Sequence, residues 1–210
     1  MPISQSADLT LFYAPQSRAI TALYFMEELE RPYRLEVIDL KKGDQKKPDY
    51  LKLNPMGKVP LVLDGEVPIA ETGAIFMYLA DKYAAGRLAP RPDESDRADY
   101  LRWMFFAAGV MEPAYGQKFM NWEIPSSQAG WGSFEQMLDV VTDAVGSREW
   151  LAGRFSAADV YVGSMLRYGT LFGIIPNEGS IAAYVERWTA RPASQRAAEI
   201  DAKHTAAQAG

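Results

Sequence analysis

The chain has 210 residues, 48% hydrophobic and 23% charged, which suits one large or two small globular domains and a core that needs no staples. Its formal charge of −5 is spread along the chain without a basic stripe, which argues against nucleic acid or an anionic membrane as partner. Cysteine is absent, so disulfides, thiolate metal sites and cysteine nucleophiles are excluded.

In chain order, Leu9 to Ala14 is short, apolar and aromatic, as a buried strand is. Ala19, Ala22, Leu23, Met26 and Leu29 then recur at helical spacing. In the next segment Tyr33, Leu35 and Val37 alternate with Arg34 and Glu36, a strand near an edge. This β-α-β start favours a parallel pair with a right-handed crossover. Residues 41–55 form a basic loop with room for one helical turn. "VPLVL" and "EVPIA" flank Asp64-Gly65, a hairpin signal, and Pro68 marks the second strand as an edge. The next helix carries Ala74, Ile75, Tyr78 and Leu79 on one face. Residues 84–94, rich in Pro, Gly and charge, read as a linker. Helices are then expected over 96–111, 132–145, 156–172 and 180–191, with no convincing strand. Along the first of these, Leu101, Phe105 and Ala108 make one apolar stripe and Tyr100, Trp103, Met104 and Ala107 another, so it is expected to be buried on several sides. Ser156 and Asp159 form a capping box, with Phe155 and Val160 placed for a hydrophobic staple.

Two positions ask for more than a fold. Pro60 opens a strand although proline has no ladder donor. Either it simply starts the strand, or Val59-Pro60 is cis and turns the Val59 backbone toward another peptide. Glu71 and Thr72 stand where a helix begins. They read as an ordinary cap and a dipole-favoured acid, or as a site for a zwitterion, with Thr72 facing a carboxylate and Glu71 an ammonium.

The order β-α-β, "NPMGKVP" (residues 54–60), an Asp-Gly hairpin and "ET" at a helix start resembles the thioredoxin-like domain of cytosolic glutathione transferases. "FSAADVYVGSML" and "YVERWTARPASQRA" are similar to that family's helix-capping segment and late helix, so the resemblance covers residues 9–200. It implies a thioredoxin-like domain of order β-α-β-α-β-β-α over residues 1–83, a linker over 84–94 and an all-helical domain over 95–210. It further implies a cytoplasmic, homodimeric enzyme of detoxification that uses glutathione as co-substrate and no metal. Val59, before a cis Pro60, would hold the cysteinyl part of the tripeptide. Glu71 and Thr72 would hold the γ-glutamyl end, and Lys58 with Lys46 the glycine carboxylate. A hydroxyl would favour the thiolate: Ser17, at the start of the first helix, or its rival Tyr13. Tyrosine-type members carry their tyrosine on the first strand, and counting back from the helix puts Phe12 there, which favours the serine-type site. Ser17 also reads as a plain N-cap. Trp103, Phe106 and Tyr115, with Phe119 and Trp122, would line an apolar cleft for the electrophile, or simply fill a core. An isomerase or peroxidase that uses the same thiolate, and a non-catalytic glutathione-binding protein, share this scaffold. A glutaredoxin-like mechanism through the chain's own cysteine is excluded. His204, in an Ala-rich polar tail, is not expected to be catalytic. Met1 to Asp8 shows neither the basic nor the apolar part of a secretory leader.

Overall fold

A computed structural model describes residues 8–209, so the expectation for the leader falls almost wholly outside the described residues. Two compact units emerge: residues 1–78 with 192–210, and residues 79–191.

The first unit is built on a four-stranded sheet of β1 (Leu9–Tyr13), β2 (Tyr33–Val37), β3 (Leu61–Asp64) and β4 (Val67–Ala70), in the order β2-β1-β3-β4. β1 runs parallel to β2 and antiparallel to β3, and β3 antiparallel to β4. β1 and β3 are central and buried, while β2 alternates half-buried and exposed, as an edge does. Pro68 sits on the other edge, where a missing donor costs no ladder bond. The hairpin is displaced one residue from its expected place. Asp64 pairs with Val67, so the two loop residues are Gly65 and Glu66, and Gly65 takes φ of +61°. A positive φ at the first loop position matches the right-handed strand twist.

Helix α1 (Ala19–Leu29) buries all five of its expected apolar positions. After β2, a 3-10 turn (Asp44–Lys46) and α2 (Pro48–Leu53) fill the expected loop. Helix α3 (Thr72–Tyr83) buries Ile75, Phe76, Leu79 and Ala80, and Phe76 stacks on Phe25 at 4.2 Å. Ala74 and Tyr78, expected on the buried face, are exposed: the face turns about one residue toward Phe76. The last helix, α9 (Pro192–Ala209), lies in this unit against α1, with the small residues Ala193, Ser194 and Ala197 buried.

The second unit is helical. Residues 84–94 are folded into it. Leu88 is buried, its carbonyl accepts from Ala157 N at 2.7 Å, and Arg154 pairs with Glu94 and Asp96, each at 2.8 Å. Helix α4 (Arg97–Phe106) does not stop at 111. A single π-helical stretch, Ala107–Met111, leads into α5 (Glu112–Met120). The widened turn comes just before Pro113, which could not have continued a regular α-helical ladder. Of the two expected stripes, Tyr100, Trp103, Met104 and Ala107 are buried. Phe105, 66% exposed, and Ala108 face outward, so this helix is buried on one side within its unit. Helices α6 (Phe134–Ser147), α7 (Ala157–Leu171) and α8 (Gly179–Thr189) complete the unit.

The Ser156–Asp159 capping box forms at the start of α7. Asp159 does more than cap. Its carboxylate accepts from Ser156 N (2.9 Å), Ser156 Oγ (3.2 Å), Leu151 N (2.8 Å) and Tyr184 Oη (2.7 Å), which ties α7 to α8. Burial pushes its pKa up to about 6, against the pull of these donors. A carboxyl raised on folding binds more protons folded than unfolded between pH 4 and 6, so stability falls as pH rises through that window. A shift of about two units implies a loss of roughly 3 kcal/mol between pH 4 and 7. Urea unfolding against pH should show that decline in the wild type, and Asp159→Asn should flatten it.

Candidate functional site

The ladder brings the expected residues to one end of the sheet. Tyr13 pairs with Val37, Phe12 with Leu61, and Leu61 with Ala70. The C-terminal ends of β1, β2 and β4 and the N-terminal end of β3 therefore lie side by side, neighbours about 4.8 Å apart. From this end emerge the turn with Ser17, the loop with Lys46, the segment Asn54–Pro60 and the pair Glu71-Thr72. Open α/β sheets bind ligands beyond the carboxyl ends of their strands.

The segment before β3 is held from beneath. Asn54 is only 3% exposed. Its Oδ1 accepts from Met56 N at 3.1 Å, its Nδ2 donates to Lys58 O at 2.9 Å, and its carbonyl accepts from Gly57 N at 2.9 Å. Tyr50 Oη donates to the same Lys58 carbonyl at 2.6 Å, and burial pushes its pKa up to about 12. Val59 packs its side chain on the cluster of Ile38, Tyr50 and Leu61, and the Val59–Pro60 peptide is cis. No described residue pairs with the Val59 N–H or C=O, which leaves one donor and one acceptor for an extended peptide. Lys46 Nζ donates to Met56 O at 3.2 Å, so Lys46 lies against the same segment as the exposed Lys58. Gly57, at φ of +59°, lets the two segments meet. Beside it, Gln45 carries a buried Oε1 with no hydrogen-bond partner among the described residues.

Glu71 sits in the left-handed region at φ of +67°, and its carbonyl accepts from Ile75 N at 2.9 Å. The cap position of α3 thus falls on Glu71, with Thr72 as the first helical residue. A left-handed non-glycine residue costs about 1–2 kcal/mol, and such strain gathers at functional sites. It leaves the exposed carboxylate beside the N–H groups that open α3, a donor set for a carboxylate next to an acceptor for an ammonium.

The two candidate hydroxyls differ in what they touch. Tyr13 is fully buried and donates a short hydrogen bond to the carboxylate of Asp201 on α9. Burial, then Asp201, hold its pKa far above the ordinary phenol value. Its proton is committed there. Ser17 is half-buried; its Oγ accepts from Ala19 N at 3.1 Å and donates to Ala14 O at 2.7 Å. Its own N–H has no partner among the described residues. The turn passes through Gln16 at φ of +55°. A cavity of about 300 Å³ beside it is lined by Pro15, Gln16, Leu40, Lys41, Thr205 and Gln208.

In the second unit Trp103 (2% exposed) and Tyr115 (1%) are core residues, and Phe106 is half-buried edge-on to Trp103 at 5.1 Å. Phe119 and Trp122 are exposed. Among the described residues no cluster could hold a metal, and no helix is long and apolar enough to cross a membrane. Sequence reasoning missed Tyr50, Asn54, Gln45 and Asp201. Only Asn54 left a signal, as a turn-forming residue opening the segment that it braces.

Residues 7–81 match the glutathione S-transferase N-terminal domain family. Over 207 residues the chain is 28% identical to the disulfide-bond oxidoreductase YfcG of Escherichia coli K12, covering 90% of this chain and 94% of that protein. A glutathione transferase structure from Methylococcus capsulatus superposes with a TM-score of 0.76 at 30% identity, covering 92% of this chain and 98% of that one. The glutathione transferase URE2P8 from Phanerochaete chrysosporium, solved with oxidized glutathione, gives 0.79 at 25% identity, covering 97% and 99%.

Proposed function

The chain belongs to the glutathione S-transferase family, and from that we propose that it is a glutathione transferase, activating the thiol of bound glutathione for attack on an apolar electrophile. One observation carries the reading: the unpaired backbone of Val59 and the strained Glu71 beside the N-terminus of α3 issue from one end of one sheet. Glutathione offers a group for each. Its cysteinyl peptide pairs in extended form with Val59. Its γ-glutamyl ammonium goes to Glu71, and its α-carboxylate to the N–H and hydroxyl of Thr72. The glycine carboxylate meets Lys58 and Lys46.

Ser17 then acts on the sulfur. A hydroxyl has one proton, which rests on Ala14 O. Rotation about its Cβ–Oγ bond moves that proton to the sulfur while Ala19 N–H remains on Oγ. The Ser17 N–H and the dipole of α1 add positive field. The thiol loses its proton to solvent. The thiolate forms a C–S bond with the electrophilic carbon, and the displaced group leaves with its electron pair or an added group is protonated by water. The protein acts in the cytoplasm as a homodimer in detoxification. A hydrogen bond to a charged acceptor is worth about 1.5–3 kcal/mol, or one to two pKa units. Ser17→Ala should therefore raise the thiol pKa of bound glutathione by about one to two units, read from thiolate absorbance against pH, and slow conjugation at neutral pH about 10- to 100-fold. An unchanged thiol pKa removes Ser17 from this role.

A second reading has its own support. A relative named a disulfide-bond oxidoreductase aligns over nearly the whole chain, and this chain has no cysteine. Disulfide reduction here would run through the thiol of glutathione itself. A peroxidase or isomerase would use the same thiolate. Rates with a disulfide, a hydroperoxide and an aryl halide, side by side, rank these activities. Retention of glutathione with no turnover of any of them would make the protein a binding module.

A further inference from the structure

We propose that Asp201 is a positioning residue for the thiol-activating turn, acting from the far end of the sequence through Tyr13 and Gln16. This rests on the reading of Ser17 as the activating hydroxyl. One oxygen of Asp201 accepts from Tyr13 Oη and, at 3.4 Å, from Gln16 N. Tyr13 is the last residue of β1 and fully buried, so the core fixes where its hydroxyl points. Gln16 is the left-handed residue of the turn. The carboxylate thus grips both the strand end and the bend, and Ser17 follows directly, its hydroxyl folded back on Ala14.

The clamp is itself held. Arg196 Nε pairs with Glu27 Oε2 at 2.8 Å and its Nη2 reaches Glu27 O at 3.2 Å, while Tyr33 Oη donates to the other oxygen of Glu27 at 2.6 Å. Arg196 and Asp201 are about 7.5 Å apart along the axis of α9. The helix is therefore pinned to the end of α1 at one point and to the end of β1 at the other. His204, nearly one turn further on, lies edge-on to the Tyr13 ring at 6.2 Å.

Charge and position act in opposite directions here, which makes the proposal sharp. A carboxylate near a thiolate disfavours it, so removing Asp201 for its charge alone would lower the thiol pKa. Removing it as a clamp loosens the turn and raises that pKa. The test is a pH titration of the thiol of bound glutathione in the wild type, Asp201→Ala, Asp201→Asn, Tyr13→Phe and Ser17→Ala, with kcat, KM and the unfolding temperature of each. Asp201→Ala and Tyr13→Phe should each raise the thiol pKa by about one unit and lower kcat about tenfold at neutral pH. KM for glutathione should stay within about twofold, because its backbone and γ-glutamyl contacts lie elsewhere. The double variant should be no worse than either single one. Asp201→Asn keeps an oxygen acceptor and should recover most of the loss. If Asp201→Ala and Tyr13→Phe lower the unfolding temperature but leave the thiol pKa unchanged or lower, the clamp is structural and the proposal fails. If Ser17→Ala still raises the pKa in that case, only this inference falls; if Ser17→Ala is silent as well, the activating role of Ser17 falls with it.

Discussion

Glu71→Gly is expected to yield a protein at least as stable as the wild type that no longer stays on immobilised glutathione. The left-handed backbone at Glu71 costs about 1–2 kcal/mol with a side chain and almost nothing with glycine. Glycine gives back roughly 0.5–1 kcal/mol through its looser unfolded chain, so the net gain is between zero and about 1.5 kcal/mol. The binding loss is larger. A hydrogen bond between a carboxylate and an ammonium is worth about 1.5–3 kcal/mol, a 10- to 100-fold drop in glutathione affinity. Glu71→Ala should lose the same affinity without the gain in stability, because alanine inherits the backbone penalty. Urea unfolding with calorimetric titration of glutathione separates the two effects. Full affinity in both variants would remove Glu71 from the γ-glutamyl site.

Gly57→Ala should be strongly destabilising for a single added methyl group. A Cβ there would lie 2.8 Å from the backbone oxygen of Gln45, 2.8 Å from Lys46 Nζ and 3.0 Å from Lys46 Cδ. The lysine head can swing away, but the Gln45 carbonyl moves only with the 3-10 turn that carries it. The left-handed penalty and the overpacking together cost about 2–4 kcal/mol. At about 2–4 °C per kcal/mol for a chain of this size, thermal unfolding should fall by roughly 5–15 °C. Glutathione binding should weaken as well, since Gly57 leads directly into Lys58 and Val59. Gly65→Ala is the control. It has a similar φ of +61° but no atom within 4 Å of the added methyl, so it should cost only the conformational part. Equal losses at both positions would mean that close packing against Gln45 contributes nothing.

Apolar periodicity and turn chemistry made much of this fold readable from residues alone. Helix α1 needed only its recurring apolar positions, and Pro68 placed β4 on an edge. What escaped has identifiable causes. Helix α9 buries Ala193, Ser194 and Ala197, residues too small to write an apolar stripe, so periodicity stops at 191 and residues 201–210 read as a polar tail. Residues 84–94 look like a linker because they are charged and rich in proline. One of those charges, Glu94, is paired with Arg154, and just outside the segment Arg97 takes Asp81 at 2.6 Å. Sequence does not distinguish a paired charge from a solvated one. The helix after Arg97 is expected to end at 111, and one π-helical stretch carries it past. At the site, Val59, Pro60, Glu71 and Thr72 stand out as a strand-opening proline and a helix-start pair, but only the family resemblance joins them into one site. Their supports were hidden. Tyr50 and Asn54 act on a backbone carbonyl, which has no sequence signature, and Asp201 lies 188 residues from the tyrosine that it holds.

The discontinuity of the first unit, which takes residues 192–210 from beyond the second, sets an order on biosynthesis. Domains fold as units while the ribosome advances at about 5–20 residues per second. The helical unit, contiguous over 79–191, has all its residues before translation reaches α9. The sheet is made first yet must wait for its closing helix, some five to twenty seconds after Tyr78 is added. Throughout that interval the phenol of Tyr13 lacks its acceptor and the surface of α1 that α9 will cover stays open. A released chain that ends at residue 191 should therefore be protease-sensitive in the sheet unit and resistant in the helical one.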